Sequence, residues 1–474
     1  MDTIYKKPSE EMLKQLEALM PGRVETGEAV NEDYTHDEMA FYGRSMPDAV
    51  VHPVSTEEVS QICMLCYEND VPFIPRGAGT GLVGGCVASA GGILIVTDKM
   101  NQILGFDTEN FIIRVQPGVY IQDIADACRE RGLFYPPEPG EMYATVGGNV
   151  STNAGGMRAV KYGITRDYVK AMTVVMPDGK VMRFGAEVNK TCSGYSMINL
   201  LCGAEGTLGI ITELSMKIVP APEKEASLLA AFGDLETCVA CVPQIMMAHL
   251  DPQAVELLPR RSVAAIEEFL ETKVYPEKAD GETAEAYLLV TLEGRNEDLL
   301  MDTLEEAAEV FLENGALDVM VCDTAAAMQR VWSVRKAALE EIKAHYELTE
   351  ECDVVVPIPQ IANFCNYMMS LEEELGVTIR PSGHAGDGNM HVNCCANGMS
   401  EEEFKKVADR FLELAYAKGK ELGGQISGEH GIGGAKVEYL KEWIGEEQVE
   451  LMYAVKKALD PKLLLNPGKV CFSL

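Results

Sequence analysis

The chain has 474 residues, of which 47% are hydrophobic and 24% charged, as in ordinary soluble proteins with two or three domains. Its formal net charge of −34 repels nucleic acid and anionic membranes, so neither is an expected partner. No apolar run reaches the roughly 20 residues that span a bilayer, and the N-terminus is typical of a short amphipathic helix rather than a secretion signal.

The first elements follow a strand–helix–strand pattern. Residues 49–54 and 71–75 are apolar and predict strands, and residues 55–70 between them predict a helix. Ser55 and Glu58 suit a capping box at the start of that helix.

The elements that follow are shorter and richer in glycine. Residues 111–118 predict a strand, and residues 120–132 predict a helix. Residues 145–156 are too rich in glycine and small residues to predict a regular element. Residues 169–184 predict a β-hairpin with its turn at Asp178–Gly179.

The pattern of apolar and charged residues changes after residues 218–222, which read Ile-Val-Pro-Ala-Pro. Beyond this point strand-like runs alternate with acidic amphipathic helices. The pattern predicts an α+β domain with helices on one face of a mainly antiparallel sheet.

The 14 cysteines are scattered without the spacing of a disulfide framework. This pattern favours reduced thiols and a cytoplasmic location. Cys63/Cys66 and Cys238/Cys241 form two C-x-x-C pairs, but each pair lies in a helical pattern where both thiols share one face. Buried apolar cysteine is therefore favoured over a metal or redox role.

A glycine-rich loop at residues 76–85 resembles a dinucleotide fingerprint, with Gly79, Gly81 and Gly84 at the required spacing. That fingerprint works when the loop opens a helix, whereas this loop leads into a predicted strand. A nest of backbone N–H groups can hold phosphates without a helix; the alternative is a flexible loop. Residues 145–163 and 203–212 have similar composition, so three such segments predict a long phosphorylated ligand.

The segments PRGAGTGLVGG, GLFYPPEPG, TVGGNVSTNAGG, KYGITRDYV and CGAEGTLGIIT occur in this order, followed by GHAGDGNMHVN, SGEHGIGGAK and LNPGKV. Together they resemble the FAD-linked oxidase family that includes D-lactate dehydrogenases and glycolate oxidase flavoprotein subunits. The resemblance implies an α+β fold in three parts. These are a two-part PCMH-type (vanillyl-alcohol-oxidase-type) FAD-binding domain at 1–220, an antiparallel-sheet cap or substrate domain with a metal site at 221–430, and a helical C-terminal segment at 431–474 that returns to the FAD domain.

The resemblance also implies which residues contact FAD. The cofactor is expected to be non-covalent, because His36 and His52 are the only histidines in the first 248 residues and neither lies in a motif. Residues 76–81 are expected against the pyrophosphate, and Asn466 near the flavin. The full implied set is Pro75, Arg76, Gly77, Ala78, Gly79, Thr80, Gly81, Gly140, Thr145, Val146, Gly148, Asn149, Thr152, Asn153, Gly155, Gly156, Tyr162, Gly163, Glu205, Gly206, Gly209, Ile211 and Asn466.

Two of the seven histidines lie in residues 383–393, on two predicted strands that flank the Asp387–Gly388 turn. His391 and Asn393 share one strand face, and His384 lies on the other side of the turn. Glu429 and His430 follow in a second glycine-framed loop. Two imidazoles and one carboxylate make a site for one divalent metal, Zn²⁺ or Fe²⁺, with open positions. The alternative is that these side chains only satisfy hydrogen bonds in the core.

The family pattern assigns His384, His391 and Glu429 as metal ligands, His430 as general base and Asn393 as a substrate contact. It also assigns Arg335, on an amphipathic helix, to the substrate carboxylate; Lys336 and Arg330 are rival candidates, and a solvated arginine is the plainer interpretation. A metal lowers the pKa of a bound hydroxyl, a histidine takes the proton, and hydride passes from Cα to the flavin.

The resulting prediction is an FAD- and metal-dependent dehydrogenase that oxidises a small D-2-hydroxy acid to the 2-oxo acid. D-lactate is favoured and glycolate comes next, because the acidic segment 345–353 disfavours a dicarboxylate. Electrons are expected to pass to a separate soluble acceptor such as an electron-transfer flavoprotein. One alternative is a non-catalytic flavin electron-relay subunit. Another is a transferase on the same fold, similar to alkyl-dihydroxyacetone-phosphate synthases.

Overall fold

A computed structural model describes residues 5–38, 44–279 and 281–472. Backbone contacts divide the chain into two units. The sequence suggested a continuous second domain at 221–430, whereas the structure adds an earlier excursion, 156–163, to the second unit. Unit 1 comprises residues 1–155, 164–221 and 429–474, and unit 2 comprises residues 156–163 and 222–428.

Helices and strands are numbered along the chain, and unit 1 begins with a four-stranded sheet of order β1-β2-β4-β3. Strands β2, β4 and β3 are parallel, as the predicted strand–helix–strand pattern requires, and β1 is antiparallel to β2. Ser55 caps α2 by accepting from the Glu58 N–H, but the Glu58 carboxylate binds Arg23 and the Val54 N–H, so the capping box is only half formed. The elements are α1 Glu10–Leu19, β1 Val24–Thr26, β2 Ala49–Val51, α2 Thr56–Asn69, β3 Phe73–Arg76 and β4 Ile93–Val96.

The second sheet of unit 1 has five antiparallel strands in the order β5-β6-β10-β8-β9. The predicted hairpin is present as β8 and β9, with Gly179 at φ +84° in its turn. Two short strands, β7 and β11, pair separately. The elements are β5 Ile103–Asp107, β6 Ile112–Val115, α3 Ile121–Arg129, β7 Leu133–Phe134, α4 Val146–Thr152, α6 Thr165–Tyr168, β8 Val169–Val175, β9 Val181–Gly185, α7 Met197–Leu201, β10 Ile210–Lys217, β11 Val219–Pro220, α16 Val437–Ile444 and α17 Glu446–Leu459.

Helix α4 differs from the sequence prediction, which left this segment irregular. Thr145 caps the helix by accepting from the Gly148 N–H at 3.3 Å. The Gly147 N–H donates to the Pro117 carbonyl, and a Cβ on Gly147 would lie 2.5 Å from the Pro117 Cβ. Tertiary contact at a glycine therefore stabilises a helix that intrinsic propensity disfavours.

The C-terminal chain of unit 1 lies alongside β3. The Phe73 N–H donates to the Leu464 carbonyl and the Asn466 N–H donates back to the Phe73 carbonyl. Leu464 and Leu465 are fully buried in the core that α1 and α2 form with the four-stranded sheet. The expected return of the C-terminal segment to the first domain is thus a strand-like addition to a sheet edge.

Unit 2 is built on a seven-stranded antiparallel sheet of order β17-β12-β16-β13-β19-β20-β18. The elements are α5 Ala159–Tyr162, β12 Lys224–Phe232, α8 Leu235–Met247, β13 Ala254–Pro259, α9 Arg260–Phe269, β14 Lys278–Ala279, β15 Glu282–Thr283, β16 Ala286–Gly294, α10 Glu297–Glu313, β17 Ala316–Cys322, α11 Ala325–Lys336, α12 Ala338–His345, β18 Leu348–Val355, α13 Ile361–Ser370, α14 Glu372–Leu375, β19 Thr378–His384, β20 Asn389–Ala396 and α15 Glu401–Glu421.

Helices cover both faces of this sheet, so the predicted single helical face is wrong. Every residue of β20 and β13 is buried, which requires cover on both sides of the strands. On one face Leu229 and Leu289 pack with Val263 of α9 and Val334 of α11. Helices α8 and α10 contact β12 and β16 and belong to the other layer. The continuous apolar runs of the strands were the signal for two-sided burial.

The two C-x-x-C pairs lie in the cores of the two units. Cys63 and Cys66 are fully buried in α2, and Cys238 and Cys241 are fully buried in α8. Burial raises the pKa of each of these thiols, well above the usual range for Cys63 and Cys238. The C-x-x-C pairs are therefore apolar packing residues. Among the described residues, no helix is both long enough and apolar enough to cross a membrane.

Candidate active site

The β19–β20 hairpin of unit 2 brings two histidines together. In the antiparallel register Ser382 lies opposite His391, and His384 lies opposite Asn389. The His384 and His391 ring centroids are 5.3 Å apart with the rings nearly perpendicular, and one nitrogen of each ring lies within 4.8 Å of the other. Both side chains are buried.

A carboxylate that sequence reasoning missed holds His384. Glu256, on the neighbouring strand β13, is 0% exposed, and its Oε1 lies 2.7 Å from His384 Nδ1. Burial opposes ionisation of Glu256, but the charges and hydrogen bonds of His384 and Arg335 hold its pKa below the usual value. A carboxylate only accepts, so His384 Nδ1 is the donor in this contact, and Nε2 is the nitrogen that could bind a metal. The available signal was a single acid within the apolar run AVELLP.

The same carboxylate binds the predicted substrate arginine. Arg335, near the end of α11, donates from Nε to Glu256 Oε2 at 2.7 Å. Its side chain is 14% exposed, which excludes the plainer interpretation of a solvated arginine. Arg330, a rival candidate, instead donates to the carbonyl of Lys273.

A second carboxylate adjoins His391 on strand β18. Glu351 lies opposite Asn393 in the register, and Asn393 Nδ2 donates to Glu351 Oε2 at 2.9 Å. Glu351 Oε1 is 3.6 Å from His391 Nδ1, a looser version of the contact between Glu256 and His384. Each histidine therefore has a carboxylate near Nδ1, but of these two contacts only the one between Glu256 and His384 is within hydrogen-bond distance.

A third carboxylate fixes the end of the unit 2 chain. Asp353, fully buried and opposite His391, accepts from Asn389 Nδ2 and Ser427 Oγ, each at 2.7 Å. It also accepts from the Gly428 N–H at 3.1 Å. A Cβ on Gly428 would lie 2.5 Å from the Asn389 amide, so this position requires glycine. The chain is thus held in place one residue before Glu429.

In unit 1, Glu429 and His430 lie among residues that the motifs assigned to FAD. Glu429 Oε1 is 4.0 Å from His430 Nε2, and a Cβ on Gly155 would lie 2.8 Å from Glu429 Oε2. The buried Glu205 accepts from the backbone N–H groups of Ile432 and Gly433 at 2.8 and 2.7 Å. Gly155 and Glu205 therefore shape the Glu429–Gly433 segment, a role that the sequence did not indicate.

The glycine-rich segments of unit 1 form one cradle. A Cβ on Gly77 would lie 2.3 Å from Thr145 Oγ1, so the first loop packs against the N-terminus of α4. Asn466 Nδ2 donates to the carbonyls of Gly85 and Glu205, each at 2.9 Å. No helix follows the first loop before β4, so the helix-opening fingerprint does not apply to this described stretch.

The Arg76 side chain anchors the glycine-rich loop of this cradle. Its guanidinium donates to the carbonyls of His36 and Asp33 at 2.7 and 3.0 Å and lies over the Tyr34 ring. A Cβ on Gly79 would lie 2.1 Å from that guanidinium. The Arg76 side chain thus fixes the loop by hydrogen bonds to protein, and the placement of residues 76–81 against the pyrophosphate stays a prediction.

Three residues of the implied FAD set, Gly156, Tyr162 and Gly163, belong to unit 2. The Tyr162 hydroxyl lies 2.8 Å from the Glu293 carboxylate, to which it donates. In the same segment Val160 packs on the turn between the two histidines, where a Cβ on Gly386 would lie 2.7 Å from Val160 Cγ2. The excursion therefore supports the β19–β20 hairpin.

Family models match both parts of the chain. Residues 47–185 match the FAD binding domain, and residues 221–470 match the C-terminal domain of FAD linked oxidases. The chain belongs to the FAD-linked oxidase family, and it is a flavoprotein oxidoreductase.

Curated relatives cover the chain nearly end to end. It is 52% identical over 470 residues to D-lactate dehydrogenase of Anaerostipes hadrus, covering 99% of both chains. It is 37% identical over 438 residues to glycolate oxidase subunit GlcD of Bacillus subtilis (strain 168), covering 92% of this chain and 91% of the relative. It is 38% identical over 421 residues to D-lactate dehydrogenase of Archaeoglobus fulgidus, covering 89% of this chain and 90% of the relative.

Solved structures share the fold at low sequence identity. p-Cresol methylhydroxylase aligns with a TM-score of 0.82 and 17% identity, over 98% of this chain and 96% of its own. 4-Ethylphenol oxidase from Gulosibacter chungangensis aligns with a TM-score of 0.77 and 19% identity, over 99% of both chains. These likenesses confirm the predicted fold of the PCMH type and carry no argument about substrate.

Proposed function

We propose that the protein oxidises a D-2-hydroxy acid to the 2-oxo acid, with D-lactate the best substrate and glycolate the next. The observation that carries this proposal is the buried pair His384 and His391, of which His384 is held by Glu256, the carboxylate that also binds Arg335. The names of the curated relatives support the substrate class.

His384 and His391 are proposed to hold a divalent cation, Zn²⁺ or Fe²⁺, with Glu429 as the third ligand. Two neutral imidazoles and one carboxylate are a ligand set for either metal. Asp353 supports this set, because it binds Gly428 and lies opposite His391, so the chain continues into Glu429 from a fixed point beside the hairpin. When bound, the cation lowers the pKa of a coordinated hydroxyl group.

The remaining side chains have proposed roles in binding and proton transfer. His430 accepts the proton of the substrate hydroxyl. Arg335 binds the substrate carboxylate through its terminal nitrogens, since its Nε is committed to Glu256. Asn393 is proposed as a substrate contact whose amide is held in orientation by Glu351.

FAD is proposed to bind non-covalently in the unit 1 cradle formed by the 76–81 loop, α4 and the segments around Glu205 and Asn466. Gly77 and Gly79 pack against Thr145 and Arg76, where a Cβ would clash, so the loop is held in one conformation whose backbone N–H groups can hold phosphates. When bound, FAD would supply the hydride acceptor for the substrate Cα.

Reduced flavin is proposed to pass its electrons to a soluble carrier, such as an electron-transfer flavoprotein, in the cytoplasm. The net charge of −34 supports a carrier with a basic docking face.

The acidic Glu351 beside His391 and Asn393 disfavours a second substrate carboxylate, which supports a monocarboxylate.

The proposal is tested by anaerobic flavin bleaching. Purified holoprotein with a full complement of metal is mixed with D-lactate, L-lactate, glycolate or D-2-hydroxyglutarate, and the flavin absorbance is followed. We expect D-lactate to bleach fastest, glycolate more slowly, and the dicarboxylate and the L-enantiomer least. Failure of every acid to bleach the flavin would favour the electron-relay alternative instead.

Gly155→Ala tests the position of Glu429. The added Cβ would lie 2.8 Å from Glu429 Oε2 and 3.2 Å from its Cβ, so the side chain must move. We expect weaker metal binding, measured as metal bound per chain after dialysis. Gly233→Ala is the control, because its Cβ would meet no atom closer than 3.8 Å. Equal metal content in both variants would contradict the ligand role of Glu429.

A further inference from the structure

We propose that Glu256 is a positioning residue that serves the metal and the substrate carboxylate at once. It orients His384 through one carboxylate oxygen and Arg335 through the other, each at 2.7 Å. This inference rests on the proposed function, because it assumes that His384 binds a metal and that Arg335 binds the substrate.

The first part of the role is the choice of histidine tautomer. An imidazole binds a metal through an unprotonated nitrogen, and its other nitrogen then carries hydrogen. The ionised Glu256 accepts from Nδ1 of His384 and so leaves Nε2 as the ligand atom. Without that acceptor both tautomers of His384 become available, and the ring loses its fixed orientation.

The second part is the orientation of the guanidinium. Arg335 donates through Nε, on one edge of its plane, so its terminal nitrogens have a fixed direction. A guanidinium held in this way grips a substrate carboxylate with less loss of side-chain freedom than a mobile one.

The apolar surroundings of Glu256 indicate that its charge depends on these two partners for stabilisation. Its chain neighbours Val255 and Leu257 are buried, and Glu256 itself is 0% exposed. A buried carboxylate is disfavoured unless it is paired and hydrogen-bonded. The pair Arg335 and His384 supplies both conditions, and these are the two hydrogen bonds that the Glu256 side chain makes among the described residues.

Glu256→Gln is the principal test. An amide keeps one acceptor oxygen, so it can accept from His384 or from Arg335 but not from both. We expect the Zn²⁺ affinity of metal-free protein, titrated against a competing chelator, to fall by about 10–100-fold, as for other partners of metal ligands. We also expect a higher D-lactate concentration for half-maximal bleaching, with FAD content unchanged.

Glu267→Gln is the matched control. Glu267 is also a buried carboxylate of unit 2, but it accepts from the N–H groups of Val274 and Tyr275 and not from His384 or Arg335. We expect Glu267→Gln to lower the melting temperature without changing Zn²⁺ affinity or the D-lactate response. This control separates loss of a buried carboxylate from loss of the two contacts.

Glu256→Leu provides a readout that does not depend on turnover. With ¹⁵N-labelled histidine, of which the chain has seven, NMR reports the tautomer of each ring. We expect His384 to be protonated at Nδ1 in the wild type and to lose that preference in Glu256→Leu.

The outcomes distinguish failure of the proposed function from failure of the proposed role of Glu256. If wild-type protein neither binds Zn²⁺ nor responds to D-lactate, the proposed function fails. If the wild type does both and Glu256→Gln matches it in Zn²⁺ affinity and half-saturating D-lactate, the role of Glu256 is wrong. A tautomer of His384 that is unchanged in Glu256→Leu would also overturn it.

Discussion

Replacing His430 with alanine is expected to slow flavin reduction by D-lactate about 10²–10⁴-fold, the usual contribution of a general base. That loss corresponds to about 3–5 kcal/mol of barrier. The imidazole would no longer accept the hydroxyl proton, while the ligands and the flavin cradle stay intact. FAD absorbance and metal content are therefore expected to match the wild type.

Stopped-flow measurement of bleaching under anaerobic conditions checks this result at saturating D-lactate. His345→Ala is a suitable control, because His345 lies at the end of α12 with a half-exposed side chain bonded to the Glu341 carbonyl. Its loss removes an imidazole without touching the proposed site. An unchanged bleaching rate in His430→Ala would remove His430 from the role of base.

The second large effect is expected from His391→Ala. Removing one of two imidazole ligands leaves His384 and one carboxylate, too few donors for a tight Zn²⁺ or Fe²⁺ site. We expect the variant to lose its metal on dialysis. The rate of D-lactate oxidation should fall by more than the roughly 10–100-fold that loss of an outer partner costs.

Metal analysis of dialysed protein, beside flavin absorbance, gives the direct measurement for His391→Ala. Wild-type protein treated with a chelator should show the same loss of rate and should recover when Zn²⁺ or Fe²⁺ is added back. The variant should not recover at the same metal concentration. Full activity of chelator-treated wild type would exclude a metal from the reaction.

Local pattern was sufficient to predict several elements. The hairpin turn at Asp178–Gly179 is present because an Asp-Gly pair between two apolar runs favours a tight turn. The strands on either side of Asp387–Gly388 are present for the same reason, and alternation then places His391 and Asn393 on one face.

Elements decided by distant contacts were not predictable in this way. Helix α4 is rich in glycine, and its stability comes from Pro117 and from the Thr145 cap. The helices on the second face of the unit 2 sheet also depend on packing that no short window reveals.

The same difference between local pattern and distant contacts applies to the residues of the candidate site. Histidines near glycine turns stood out because the chain has few of them, whereas Glu256 joins residues that are 79 and 128 positions away. Glu351 and Asp353 were visible only as part of an acidic run, and their contacts depend on the register of β18 against β20. A single acid among buried apolar residues is the pattern that would have identified Glu256.

The reactivity of the thiols can report whether the protein is folded. Of the 14 cysteines, Cys192 is exposed, Cys86 is partly covered, and the others are buried. Buried, protonated thiols react slowly with alkylating reagents. Cys192 is therefore a natural attachment point for a dye or a surface, and each buried thiol that becomes reactive marks an opening of the packing around it.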